Sequence, residues 1–213
     1  GGYSAEYGNA LSSALILETR DLAPETQSGL SLMTLGLGAS HTQRWEKTSF
    51  SIKGDYHNLG PALGLLPNTR EWLEAPEGVN SQLTFRHKTS ETGMLKMLGS
   101  WQKSELELMQ PLTENVLRNE ALRLEDQQVY GNLGYSEVLG EKWDVQTGLT
   151  YSRNQLDIQQ NFELAQARRQ WAGKVRARYY HSDQLSLRFG TEGWSRKWEE
   201  GYLPEGESII HSG

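Results

Sequence analysis

The sequence predicts an all-β protein in which about eight strands form an antiparallel meander. After Pro24, segments of roughly ten residues repeat an alternation of apolar and polar side chains, which is typical of strands with one apolar and one polar face. Only 36% of the residues are hydrophobic, yet the chain contains 7 Trp, 9 Tyr and 22 Gly. Large amphipathic rings and many glycines favour β-structure with one wetted face.

The clearest alternation lies in the second half of the chain. Leu187 and Phe189 alternate with Arg188, and Val175 and Ala177 follow the same pattern. The four late segments, which predict two hairpins, are 129–136, 145–152, 175–180 and 185–190. The four earlier segments are 29–39, 50–56, 83–87 and 95–101, of which 29–39 is the least regular.

Connectors of two lengths separate these segments. The short connectors are 89–93, 139–142 and 181–184, and the longer ones are 59–78, 106–124 and 155–168. This rhythm predicts that each strand pairs with the next. Two of the longer connectors, 106–124 and 155–168, contain enough Leu, Glu, Gln and Arg for partial helix. The alternative is that they are long strand ends.

Charge and composition argue against several classes of protein. The net charge is -6 and no long run of Lys or Arg occurs, so nucleic acid is not an expected partner. With 0 Cys there is no disulfide framework and no thiolate metal site. The chain contains no stretch of 18 apolar residues, so no transmembrane helix is predicted. A transmembrane barrel, in contrast, crosses the membrane with short alternating segments. The chain starts at Gly1 without Met, so we expect any export signal upstream.

No arrangement of residues indicates catalysis or a cofactor. The histidines lack the close spacing of a metal site and are interpreted as surface or lumen residues. They are His41, His57, His87, His181 and His211. Glu105 and Glu107 share a strand face, but nothing places an acid beside a base. Since the nucleophile elbow, the P-loop and the dinucleotide glycine pattern are also missing, the sequence predicts no enzyme activity, no metal site and no cofactor.

The start of the chain carries the most specific motif. The run AEYGNALS at 5–12 leads into an apolar segment that closes on Glu18, Thr19 and Arg20. This opening resembles the end of the plug domain of TonB-dependent outer-membrane receptors. The matching positions include Glu6, Tyr7, Gly8, Asn9, Ala10, Ser12, Glu18 and Thr19. Gly8 and the small residues would let a strand press against neighbouring backbone in a crowded lumen.

Further along, 56–78 and 85–96 resemble the early barrel of receptors with an N-terminal carboxypeptidase-regulatory-like domain. The resemblance implies that 1–24 is the C-terminal end of a plug, closing with its last strand. It also implies that 25–213 is the N-terminal part of an incomplete transmembrane β-barrel in the cell outer membrane. Plugged barrels have about 22 strands, so about eight would be little more than a third.

The function implied by this resemblance is energy-coupled uptake of an unidentified ligand. Its implied partners are outer-membrane lipid, the remainder of the barrel and plug, the imported ligand, and TonB through a segment that this sequence lacks. Two other functions fit the alternation. One is a complete eight-stranded outer-membrane barrel with a passive or structural role. The other is a soluble lipocalin-like binding barrel, whose apolar residues would face inward.

The barrel interpretation makes demands on side-chain placement. The lumen face should carry Lys53, Lys96, Arg176, Arg178 and Arg188, because arginine on lipid is costly. Tryptophans near strand ends would form aromatic girdles, and the candidates are Trp45, Trp101, Trp143, Trp171, Trp194 and Trp198. Two arguments about the sidedness of the connectors disagree. Loop length places the longer connectors outside, whereas the family resemblance implies a first barrel strand that starts at the periplasm, which would place the same connectors at the periplasm. Sidedness therefore stays open.

Overall fold

Nine strands form one antiparallel sheet in chain order. The computed structural model describes residues 21–65, 71–112, 115–182 and 184–204, with the backbone alone at 111–112 and 115–118. The strands are β1 Gln27–Met33, β2 Gly36–Arg44, β3 Thr48–Asn58, β4 Trp72–Lys88, β5 Met94–Leu112, β6 Asn115–Leu139, β7 Trp143–Gln159, β8 Phe162–Ser182 and β9 Leu185–Pro204. One short helix, α1 Gly60–Leu63, follows β3. Among these strands only sequence neighbours pair, and β1 and β9 do not close the sheet.

The predicted all-β meander is confirmed, with one strand more than the eight predicted segments. The segment 29–39 contains two strands, because Thr34 and Leu35 form a turn and Met33 pairs with Gly36. This turn interrupts the alternation and explains why that segment was the least regular. The two predicted late hairpins are β6–β7 and β8–β9.

The two connectors that could have been partly helical are strand instead. β5 continues to Leu112 and β6 begins at Asn115, and β7 and β8 are separated only by 160–161. Of the two alternatives for 106–124 and 155–168, long strand ends are therefore the one observed, because pairing with a neighbouring strand outweighs a weak helix propensity. Across β5 and β6, ion pairs accompany the backbone ladder, at 3.1 Å for Lys103–Glu125 and 4.0 Å for Arg123–Glu107.

The two ends of the sheet differ. At one end, here named the short-turn end, the strands are separated only by 45–47, 89–93, 140–142 and 183–184. The opposite end, here named the extended end, carries the 59–71 connection. There the hairpin β5–β6 also projects, since β5 continues past Leu108, the partner of Trp72 at the start of β4.

The described part of the chain has almost no hydrophobic core. Met94 and Leu108 are its only buried hydrophobic side chains. Exposed large apolar side chains include Leu30, Leu32, Leu37, Ile52, Val79, Met97, Leu133, Leu149, Val175, Leu187 and Phe189. Soluble domains cover an apolar sheet face with a second layer. Within the described residues no such layer is present.

Gly36 lies where the β1–β2 turn approaches β3 most closely. A Cβ atom there would collide with the carbonyl oxygen of Tyr56 and lie 3.1 Å from the Cα of His57. We expect Gly36→Ala to lower the free energy of unfolding by about 1–3 kcal/mol, the usual cost of overpacking. Urea titration of the folded protein in detergent measures this. Gly99→Ala is the matched control because open space surrounds that position, and equal midpoints for the two variants would contradict the prediction.

Candidate functional site

The register gathers apolar side chains on one face of the sheet, here named the apolar face. Directly paired residues point to the same side, and Phe50 pairs with Phe85 while Leu133 pairs with Leu149. Its members include Leu30, Leu32, Leu37, Phe50, Ile52, Val79, Leu83, Phe85, Leu95, Met97, Leu133, Val145, Leu149, Val175, Leu187 and Phe189. The apolar face is therefore continuous from β1 to β9.

Aromatic pairs border the apolar face at two levels on β7 and β8. The rings of Tyr151 and Trp171 lie 4.6 Å apart, and those of Trp143 and Tyr179 lie 4.8 Å apart. The two levels are eight residues apart on each strand, which is about 27 Å at ~3.4 Å per residue. A strand tilt of roughly 35–45° leaves a band about 20 Å tall, close to the ~25 Å apolar band of outer-membrane barrels.

The pair Tyr151–Trp171 lies nearer the extended end and is here named the upper aromatic level. Beyond it, toward the extended end, the same side of the sheet becomes charged. The ammonium of Lys103 lies 3.2 Å from Glu105 and 3.1 Å from Glu125. Hydrogen bonds to these carboxylates, chiefly to Glu125, raise the pKa of Lys103 above its ordinary value. The apolar surface thus ends within the sheet, and the strands continue past it as a polar extension.

The opposite face, here named the polar face, carries the predicted cations. Lys53 pairs with Gln82, and Arg178 pairs with Arg188. All five residues predicted for the lumen lie on this face, namely Lys53, Lys96, Arg176, Arg178 and Arg188. The sequence alternation therefore predicted both faces correctly at these positions.

An open cavity of about 620 Å³ lies on the polar face, over β3 to β7. The side chains of Asp55, Asn80 and Gln128 contribute to its lining. The Asn80 amide donates a hydrogen bond to Asp55 at 2.8 Å, and Lys53 lies 3.4 Å from the same carboxylate. These groups offer hydrogen bonds to a polar molecule or to polypeptide backbone.

The residues before β1 approach the sheet from the polar side. The backbone amide of Ala23 donates a hydrogen bond to the Ser49 hydroxyl at 3.2 Å, and Asp21 lies 3.8 Å from Lys96. Ser49 is only 1% exposed. Both contacts lie on the polar face near the short-turn end. The plug-end motif itself falls outside the described residues: Glu6, Tyr7, Gly8, Asn9, Ala10, Ser12, Glu18 and Thr19.

The six tryptophans follow the predicted girdles only in part. Trp45 follows β2 and Trp143 begins β7, but Trp101 and Trp171 lie inside strands that are longer than predicted, although on the apolar face. Trp194 and Trp198 lie within β9 on the polar face, where they pair with Ala172 and Arg168. The expected position near a strand end was wrong for both, because 191–204 was not recognised as strand.

The charged row that follows the upper aromatic level was not predicted from the sequence. Extending the alternation past Tyr151 keeps Arg153, Gln155 and Asp157 on the side of the aromatic ring. The signal was therefore present, but 155–168 had been treated as a connector.

Within the residues that the structure describes, no group of three or more His, Asp or Glu side chains is placed to hold a metal ion. Among the same residues, no helix has the length and apolar character needed to span a membrane. No protein-family model, curated protein or solved structure matches this chain.

Proposed function

We propose that this chain is part of a TonB-dependent outer-membrane receptor, comprising the end of the plug and the first strands of the barrel. The receptor takes up an unidentified ligand with energy supplied through TonB. The observation that carries the membrane assignment is the continuous apolar face of a sheet that no second layer covers among the described residues. Lipid is the partner that fits a face of this kind, and the polar face then lines the lumen.

The open edges support an incomplete barrel. An unpaired edge strand exposes a row of backbone donors and acceptors, and in lipid these groups must be satisfied by closure. Within the described residues, nine strands leave both β1 and β9 open, whereas bacterial single-chain barrels have an even number of strands. The remainder of the barrel is therefore the first partner of this sheet, and a complete eight-stranded barrel is disfavoured.

The contacts of Asp21 and Ala23 support the plug assignment. Both residues lie on the polar face, so 21–23 approach β1 from the side that we assign to the lumen. This is the side on which a plug belongs. The role of TonB and the uptake function are carried by the resemblance of the 5–19 motif.

The ninth strand also supports one orientation of the proposed barrel. External connections are the longer ones in outer-membrane barrels, and both the 59–71 connection and the projecting β5–β6 hairpin lie at the extended end. We therefore place the extended end outside and the short-turn end at the periplasm. Because β1 runs from the short-turn end, the barrel then starts at the periplasm, as the family resemblance implies. Loop length and a periplasmic start of the barrel conflicted as long as 29–39 was counted as one strand, because this count reverses the direction of every later strand.

The test is gel electrophoresis of outer-membrane fractions, cold and boiled, with an antibody against residues 43–58 of the natural protein. We expect a band several times larger than 24.1 kDa that shifts on boiling. A shifting band near 24 kDa would replace the receptor with a complete small barrel. A band in the soluble fraction that does not shift would favour the lipocalin-like alternative.

A further inference from the structure

Three cations form a row across β7, β8 and β9, on the side of the sheet that carries the apolar face. Arg153 pairs with Arg169, and Arg169 pairs with Lys197. The rings of Tyr151 and Trp171, which are tilted by 43° to each other, occupy the neighbouring level. The row, here named the basic row, therefore lies directly above the upper aromatic level, toward the extended end.

The basic row is unfavourable for the sheet on its own. Directly opposed residues have Cβ atoms about 4.5–5.5 Å apart, and like charges at that distance destabilise a strand pair. Like charges also oppose each other on the neighbouring strands of the same side, where Glu105 pairs with Glu125. There, however, the cations contact carboxylates, since Lys103 contacts Glu125 and Arg123 contacts Glu107. The accumulation of positive charge is thus specific to β7–β9.

Among the described residues, one carboxylate forms an ion pair with the basic row. Glu199 lies 2.6 Å from Lys197 and 3.9 Å from Arg169. The pKa of Glu199 is lowered, first by the hydrogen bond from Lys197 and then by the positive charges of Lys197, Arg169 and Arg153. Glu199 therefore stays ionised, and three cations against one carboxylate leave an excess of two positive charges. The side chains of Arg169 and Lys197 are 44% and 69% exposed.

We infer that Arg153, Arg169 and Lys197 bind the phosphomonoester head group of an outer-leaflet lipid whose acyl chains lie on the apolar face below. This inference rests on the proposed function, which places the extended end outside and the basic row where hydrocarbon gives way to head groups. A phosphomonoester carries about -1.5 to -2 charges at pH 7, which matches the excess charge of the row. Arginine can bind phosphate through two parallel hydrogen bonds, and lysine adds a point charge.

The apolar face favours a lipid over a free anion. Val175 and Leu149 lie below the aromatic pair on the same face, so a lipid seated at the basic row would place its chains on them. A phosphate group without acyl chains would use the cations but not this surface. Charge and apolar contact together therefore define the ligand class.

Binding to the natural protein that contains this chain, purified in detergent, tests the inference by native mass spectrometry. The probes are lipid A with both phosphates and lipid A from which the phosphates have been removed. The variant combines Arg153→Gln, Arg169→Gln and Lys197→Gln. We expect its affinity for phosphorylated lipid A to fall by roughly tenfold or more, since a lost charge-assisted contact is worth about that factor. Binding of the dephosphorylated lipid should be weaker and the same in both proteins.

The matched control combines Arg176→Gln, Arg178→Gln and Arg188→Gln, which remove equal charge from the polar face. Unchanged lipid affinity in this control is the expected result. Equal losses in both triple variants, or no loss in the basic-row variant, would overturn the inference. Displacement of the lipid by inorganic phosphate would also overturn it, by indicating a simple anion site.

The cold and boiled gel separates this failure from failure of the proposed function. If the protein is a heat-shifting outer-membrane protein but binds phosphorylated and dephosphorylated lipid A equally well, only the basic-row assignment fails. If it is not an outer-membrane protein, the proposed function fails as well.

Discussion

Val175→Arg is expected to destabilise the folded protein by about 2–4 kcal/mol, the cost of arginine on the lipid face at the middle of the bilayer. Val175 lies on β8 four residues from Trp171 and four from Tyr179, midway between the two aromatic levels, and is 48% exposed. In water an exposed valine would tolerate this change. Urea titration of the protein folded in lipid vesicles, followed by the heat-dependent gel shift, measures the difference.

Ala172→Arg is the matched control for this variant. Ala172 lies on the same strand but on the polar face, where it pairs with Thr150 and Trp194. A lumen-facing arginine keeps its water and should cost less than about 1 kcal/mol. A neutral effect of Val175→Arg, or equal losses for both variants, would show that the apolar face does not meet lipid.

Cysteine labelling is expected to give an all-or-none result at the two ends of the sheet. Leu65→Cys should react with a bulky, membrane-impermeant maleimide on intact cells, because Leu65 is 86% exposed in the 59–71 connection at the extended end. Glu141→Cys lies in the turn between β6 and β7 at the short-turn end. It should react only after the outer membrane is opened.

The sequence contains no cysteine, so within this chain the maleimide can react only with the introduced cysteine, and each variant reports one position. The reverse pattern would invert the orientation and move the basic row to the periplasmic leaflet. Labelling of both positions on intact cells would mean that the sheet does not separate two compartments, and the transmembrane proposal would fail.

The sequence alone determined the fold class and the face that most strand residues occupy. In a strand, successive side chains point to opposite sides, so the alternation of Leu187, Arg188 and Phe189 is a local signal that needs no knowledge of the partner strand. For the same reason, the common face of Arg176, Arg178 and Lys53 could be predicted. Short glycine-containing or polar connectors likewise predicted the late hairpins.

Only the tertiary structure decided where strands begin and end, how many there are, and which charges meet. The turn at Thr34 and Leu35 and the long β5–β6 hairpin depend on hydrogen bonds to neighbouring strands, and pairing of this kind outweighs local propensity. The basic row requires three strands in one register, so no single segment contains it. Local patterns thus encode the direction of a side chain, whereas strand length and charge clustering arise from pairing between distant segments.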